Sequence, residues 1–189
     1  MKKFTQQEFD ALPRDEHGVK QCPTGDYTAI RSFGAWCSFG EWCSFGEWCS
    51  FGKSCRFGEW CRFGKSCSFG EWCSFGAWCS FGESCSFGES CSFGEWCSFG
   101  ESCSFEGHKA ATGYPLLVIS GTGSENRATY FFNTVDGIYV RSGCFFDTLA
   151  EFRAKVLQDV GGDKTHGKAV QYFGMANIAV ATFNKGEYE

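Results

Sequence analysis

Fourteen cysteines, seven tryptophans and three histidines are the residues of this chain with the most chemistry to offer. Twelve of the cysteines recur every six residues between Cys37 and Cys103. Thiols in that number raise metal ligation or a disulfide scaffold. Structural zinc sites, however, use close pairs such as Cys-x₂-Cys, which this chain lacks. A buried thiol otherwise packs as a small hydrophobe. Free, core-packed cysteine is therefore the expectation, with neither metal nor cofactor. The start, Met1-Lys2-Lys3-Phe4-Thr5, lacks the apolar core of a secretory signal, which fits a reducing cytoplasm.

Tryptophan stands immediately before cysteine in seven of the twelve repeats. Sorted by a spacing of eighteen residues, Trp42, Trp60, Trp78 and Trp96 form one unbroken column. The other two columns mix Trp36 and Trp72, or Trp48, with serine. An outward row of rings can stack a base, a sugar or a partner's side chains. It can equally pack on itself or against another subunit. Arg56 and Arg62 lie near that column in sequence, and Arg127, Tyr130 and Arg141 further on have the chemistry to hold a phosphate. The stretch from Gly121 to Arg127 reads first as a hairpin turn and second as an anion-holding loop. Cys144 and His166 supply a nucleophile and a base in principle, but a lone pair so far apart is poor evidence of catalysis.

All but Cys22 and Cys144 of the cysteines, and every tryptophan, belong to one phrase. Ser-Phe-Gly-x-Trp/Ser-Cys repeats twelve times from Ser32, and the regular segment covers residues 32–105. Phe, Gly and Cys are invariant within it, and the first position is Ser or twice Arg. A strict hexapeptide period marks a β-solenoid. Strand alternation puts Phe and Cys inside and Ser outside, with a bend at Gly-x-x. The phrase Phe-Gly-x-x-Cys-x resembles the hexapeptide signature of left-handed parallel β-helices. That resemblance implies triangular coils of three hexapeptides, about four coils in all. Phe in place of an aliphatic residue and Cys in place of a smaller one depart from it, and a wider or right-handed coil satisfies the same period.

On either side the composition changes. Residues 1–31 read as a short helix, opened by the capping box Thr5-Gln6-Gln7-Glu8 and ended before Pro13, followed by a cap for the solenoid. Residues 106–189 read as a small α+β module. Three strands are expected over 116–121, 128–133 and 137–141, then a helix from Thr148 ended by Gly161-Gly162, and a last helix over about 167–183. The fold class is thus mainly β, a parallel β-solenoid with a small βββαα domain.

Net charge is −5. It sits almost wholly in the repeats, which carry four basic and eight acidic residues. A binder that works by neutralising phosphates needs a basic face, so nucleic acid is not expected as a partner. No run of about eighteen apolar residues offers a membrane span.

The leader Gln21-Cys22-Pro23-Thr24-Gly25-Asp26-Tyr27-Thr28, the repeats, and Val140-Arg141-Ser142-Gly143-Cys144-Phe145-Phe146 with Thr148-Leu149-Ala150-Glu151-Phe152 together resemble a group of bacteriophage and gut-bacterial proteins. The resemblance implies a phage-type, host-directed origin and no mechanism. Hexapeptide solenoids are best known in acyltransferases, which use a histidine beside the coils. No histidine lies between His17 and His108, and no loop interrupts the repeats. The expected function is therefore non-enzymatic binding or scaffolding, such as counter-defence against a host protein or a small anionic signalling nucleotide. Acyl transfer and purely structural assembly are the alternatives, and self-association into an oligomer is compatible with all three.

Overall fold

A computed structural model describes residues 1–122 and 127–184, with side chains given for 1–120 and 128–183. The chain divides into two compact units, Met1–His108 and Lys109–Glu189.

The first unit is a β-solenoid of five coils with three faces. Two-residue strands carry the Ser-Phe or Arg-Phe of each repeat, and each pairs in parallel with the strand eighteen residues on, as in Ser44↔Arg62↔Ser80 and Phe45↔Phe63↔Phe81. One face orders the strands Lys20–Cys22, Cys37–Phe39, Arg56–Phe57, Ser74–Phe75 and Ser92–Phe93. A second runs Asp26–Tyr27, Ser44–Phe45, Arg62–Phe63, Ser80–Phe81, Ser98–Phe99, and the third begins at Ser32–Phe33. The three-hexapeptide coil implied by the likeness to the hexapeptide signature is thus present, with one correction. Residues 20–31 form most of a first coil, making five where the repeats alone counted four. Tyr27 and Ile30 sit fully buried inside it, and Tyr27 takes the place of a repeat phenylalanine opposite Phe45.

The interior is filled by phenylalanine rings in three columns. Within a column the rings stack nearly parallel, as for Phe51, Phe69 and Phe87 at centroid spacings of 4.9 and 5.0 Å. Between columns they meet edge to face, as for Phe63, Phe69 and Phe75 at 5.0 Å and close to 90°. Both arrangements suit the ring quadrupole, whose negative face attracts a positive edge. The helix α1 (Gln6–Asp10) closes the lower end. Its capping box forms as expected, and Phe4 and Phe9 extend two of the ring columns, Phe4 stacked on Tyr27 at 4.7 Å and Phe9 parallel to Phe39 at 6.4 Å. Lys20, a buried cation, donates to the Phe9 and Asp10 carbonyls at 2.8 and 2.9 Å, satisfying groups that a helix end leaves free. Towards the other end, the Glu106 carboxylate accepts the Ser90 N–H at 2.9 Å, standing in for a next-coil carbonyl.

The bend falls within Gly-x-x as expected, with its left-handed residue at the last of the three positions. None of the repeat glycines has a positive φ. The residue before cysteine does, at 56° to 61° in all twelve repeats. Glycine is needed because coils approach closely. A Cβ at Gly76 would lie 2.7 Å from the Glu59 nitrogen and 2.8 Å from the Gly58 carbonyl carbon.

Cysteine also has a specific task. Its thiol donates to the glycine carbonyl of the preceding coil, at 3.3 to 3.5 Å from Cys55 to Gly34 through Cys103 to Gly82. A methyl group would fill the space but leave that carbonyl short of a donor. All fourteen cysteines are free, and only Cys144 is exposed, with Cys97 half-buried. A thiol reagent added to the native protein is therefore expected to label Cys144 rapidly, and the denatured, unreduced protein to yield fourteen thiols; several fast native thiols would contradict the buried columns.

The second unit is a four-stranded antiparallel meander, Leu116–Thr122, Arg127–Thr134, Gly137–Ser142 and Phe145–Thr148, with helices α2 (Leu149–Asp159) and α3 (Gly167–Asn184). Its core joins Phe131 and Val140 of the sheet to Phe152 and Val156 of α2 and Ala169, Met175, Ala176, Ala179 and Phe183 of α3. The expected βββαα order lacked the fourth strand. Gly143, at φ 62°, makes a two-residue turn with Cys144, so Phe145 returns to the sheet before the helix begins. The expected turn at Ser124-Glu125-Asn126 lies outside the described residues. Among those described, no helix is long and apolar enough to cross a membrane.

Candidate functional site

The solenoid corners are built from the Gly-x-Trp/Ser-Cys turn. Its third residue is held in the left-handed region by a coil-to-coil hydrogen bond, such as Trp42 N–H to the Glu59 carbonyl at 2.9 Å and Trp60 N–H to Ala77 at 3.0 Å. That conformation points the side chain away from the ring columns. All seven indoles are accordingly exposed, from 37 % for Trp60 to 71 % for Trp96.

At one corner Trp42, Trp60, Trp78 and Trp96 form a continuous stack, with centroid spacings of 5.1, 5.0 and 5.4 Å and planes within 14° of parallel. Their faces largely cover one another, so the corner presents ring edges along its length. Glu41, Glu59 and Glu95 accompany them, with Ala77 in the remaining place. Arg56 and Arg62 are exposed on the two faces that meet at the Trp60 corner, in register with serines of the coils above and below. Lys65 meets Glu47 of the preceding coil at 3.7 Å.

The thiol columns behind these corners are closed to solvent. For Cys55, hydrogen bonds with Cys37 and Cys73, then burial, push the thiol far above its ordinary range. Cys61, between Cys43 and Cys79, and Cys85, between Cys103 and Cys67, are raised by the same causes. Their partners Cys37, Cys67 and Cys79 are held low by the same thiol–thiol bonds, so what is common to the columns is burial, which raises every thiol. A raised folded-state pKa makes the unfolded chain shed protons first. With burial as the cause, stability is full below the ordinary thiol pKa of 9.0 and falls as pH rises beyond it. The melting temperature is expected to be flat from pH 7 to 8.5 and to drop above about pH 9, a change that Cys61→Ala reduces. A melting temperature unchanged to pH 10.5 would contradict it.

In the second unit the structure brings Tyr130 and Arg141 together as register partners on adjacent strands. Arg141 is 7 % exposed, its guanidinium 5.6 and 5.2 Å from the centroids of Phe132 and Phe146. It is packed on rings where an open anion clamp was expected. Arg127 begins its strand, and its side chain lies outside the described residues. His166 accepts the Lys168 N–H at the start of α3, and among the described residues no contact joins it to Cys144. A depression of about 390 Å³ bordered by Tyr114, Val135, Ile138 and Phe183 has Tyr114 as its one titratable side chain.

The residues that sequence reasoning underrated are the strained ones. Trp and Ser at a left-handed position carry no composition signal, since glycine or asparagine is the usual mark of such a turn.

The repeats match the family of RNA-binding, Nab2-type zinc fingers over residues 31–46, 48–64, 60–88, 78–94 and 90–105. No curated protein and no solved structure matches the chain. The zinc of that family does not fit the residues present. The repeats hold no histidine, their thiols are spent on glycine carbonyls, and among the described residues no group of three or more His, Cys, Asp or Glu is placed to hold an ion. The same match nonetheless overturns one expectation drawn from net charge: a likeness to RNA-binding repeats points towards nucleic acid, which the charge balance had set aside.

Proposed function

We propose that this is a non-enzymatic binding and scaffolding protein in which the solenoid is a rigid rack and the outward indoles are the contact groups. One observation carries the reading. Seven bulky rings are held outside the core from left-handed backbone positions, a conformation costing about 1–2 kcal/mol per residue and giving the interior nothing. Five repeats hold serine in the same left-handed backbone, so the frame requires the turn but not an indole at that place. The likeness of leader, repeats and Gly-Cys-Phe phrase to bacteriophage and gut-bacterial proteins supports a host-directed role in the cytoplasm. Counter-defence by blocking a host protein or by sequestering a small signalling nucleotide suits such a rack. RNA binding is the second reading, favoured by the family match over the repeats. Native mass measurement of the protein recovered from infected or immune-activated cells is the test. A bound protein, nucleotide or RNA is expected, and a bare chain that also ignores added oligonucleotides would sink the reading.

A further inference from the structure

Only one of the three indole columns is complete, and the gap in another is one rung deep. At that corner Trp36 and Trp72 flank Ser54. Trp36 N–H donates to the Lys53 carbonyl at 3.0 Å and Ser54 N–H to the Glu71 carbonyl at 2.8 Å, so the three turns are stacked in direct succession. All three residues share the same backbone, with φ of 58°, 57° and 61°. In the complete column the middle rung is filled: Trp60 lies 5.1 and 5.0 Å from its neighbours and is the least exposed indole. Here the middle rung is a half-buried serine, and among the described residues neither Trp36 nor Trp72 makes a ring contact. Two coil steps of about 4.8 Å set the two indoles roughly 10 Å apart. A planar ring placed midway would lie about 5 Å from each, inside the range in which aromatic pairs attract.

Charge selects what that ring should carry. Lys53 precedes Ser54, and Arg56 follows it two residues later; both are exposed, and among the described residues neither side chain is engaged in an ion pair. Glu71, beside Trp72, is the only carboxylate among the residues of these three turns. The complete column, by contrast, is lined by Glu41, Glu59 and Glu95.

We infer that the Trp36–Ser54–Trp72 gap is a sandwich site for one nucleobase, with Lys53 and Arg56 holding the attached phosphate. The site rests on the reading that outward indoles are the contact groups, and names their ligand class. The base could come from a free nucleotide or from a single RNA strand, and both share this chemistry.

The repeat supplies its own test substitutions, because each of the following residues already occupies the equivalent position elsewhere. Ser54→Trp fills the rung, Trp72→Ser removes one wall, and Arg56→Ser removes a cation. Binding is followed by isothermal titration calorimetry, which needs no indole, with adenosine 5′-monophosphate, adenosine and an eight-nucleotide adenine RNA as probes. The nucleotide or the RNA is expected to bind the native protein, and Ser54→Trp and Trp72→Ser to weaken it at least tenfold. Arg56→Ser is expected to weaken the phosphorylated probes while sparing adenosine. Binding of the mononucleotide assigns a free ligand, and binding of RNA alone assigns a strand. Undiminished binding in Ser54→Trp would overturn the sandwich. If conversion of all seven tryptophans to serine then abolished binding, the broader reading would survive that failure. Silence from every probe overturns the sandwich too, and leaves the broader reading to the native mass measurement.

Discussion

Gly64→Ala is expected to unfold the middle of the solenoid, although Gly64 has an ordinary backbone and alanine is a small residue. The added Cβ would lie 2.7 Å from both the Glu47 nitrogen and the Gly46 carbonyl carbon. Both atoms belong to the backbone of the preceding coil, so neither can rotate away. Relief requires the coils to part, which breaks bonds such as Gly64 N–H to Phe45 at 3.1 Å and Trp48 N–H to Lys65 at 2.9 Å. Overpacking alone costs about 1–3 kcal/mol. With two hydrogen bonds lost at about 1 kcal/mol each, a loss of about 3–5 kcal/mol is expected in chemical denaturation. Because a solenoid is held by nearest-neighbour contacts, one failed interface can separate its two halves. The reciprocal change is the sharper half of the test. Ser66, two residues on, has φ 57° and is not glycine. Ser66→Gly relieves about 1–2 kcal/mol of backbone strain against a flexibility cost of about 0.5–1 kcal/mol, a net gain of up to about 1.5 kcal/mol. If Gly64→Ala were tolerated and Ser66→Gly destabilised the protein, the turn geometry described above would be wrong.

Phe69→Ala is expected to be comparably damaging by a different route. Phe69 is 4 % exposed and meets six other rings: Phe51 and Phe87 in its own column, and Phe57, Phe63, Phe75 and Phe81 across the interior. Removing a buried phenylalanine costs about 3–5 kcal/mol when the site cannot collapse. Collapse does not help here in any direction, because every neighbour is fixed in place by its own coil. Phe69→Leu, closer to the aliphatic hexapeptide signature, is expected to recover part of that loss but not the edge-to-face pairing, worth about 0.5–1.5 kcal/mol per pair. Thermal melts of the two variants check the order. Equal stability of Phe69→Ala and the native chain would rule out the stacked interior.

How far the sequence carries can be followed residue by residue. The inward Phe and Cys follow from period six and strand alternation, because a repeat forces identical environments on identical residues. The eighteen-residue coil, and with it the Trp42–Trp96 column, was implied by the likeness to the hexapeptide signature, since the period alone allows a wider coil. Residues 20–31 escaped that logic. Tyr27 and Ile30 occupy coil positions without the repeat's letters, so nothing periodic marked them. Which residue of the Gly-x-x bend is left-handed was not legible, because glycine is the usual residue there, whereas this chain uses its glycines for close approach between coils. The strand Phe145–Thr148 was missed for want of length, although Gly143-Cys144 between two apolar runs was a two-residue hairpin signal. At the candidate site the complete column is legible from the spacing of Trp42 to Trp96, whereas the meaning of the interrupted one, where Lys53 and Arg56 gather, depends on a stacking distance that no spacing in the sequence gives. Whether Arg141 faced solvent or rings was never legible, since that depends on Phe132 and Phe146 arriving from neighbouring strands.

The division between frame and contact groups is tested most directly by converting all seven tryptophans to serine, the residue that five repeats already carry at that position. Circular dichroism and the melting transition are expected to stay close to those of the native protein, while binding of the ligand found by native mass measurement disappears. A collapse of the melting transition would show the indoles to be part of the frame, and undiminished binding would place the contact surface elsewhere; either result contradicts the account.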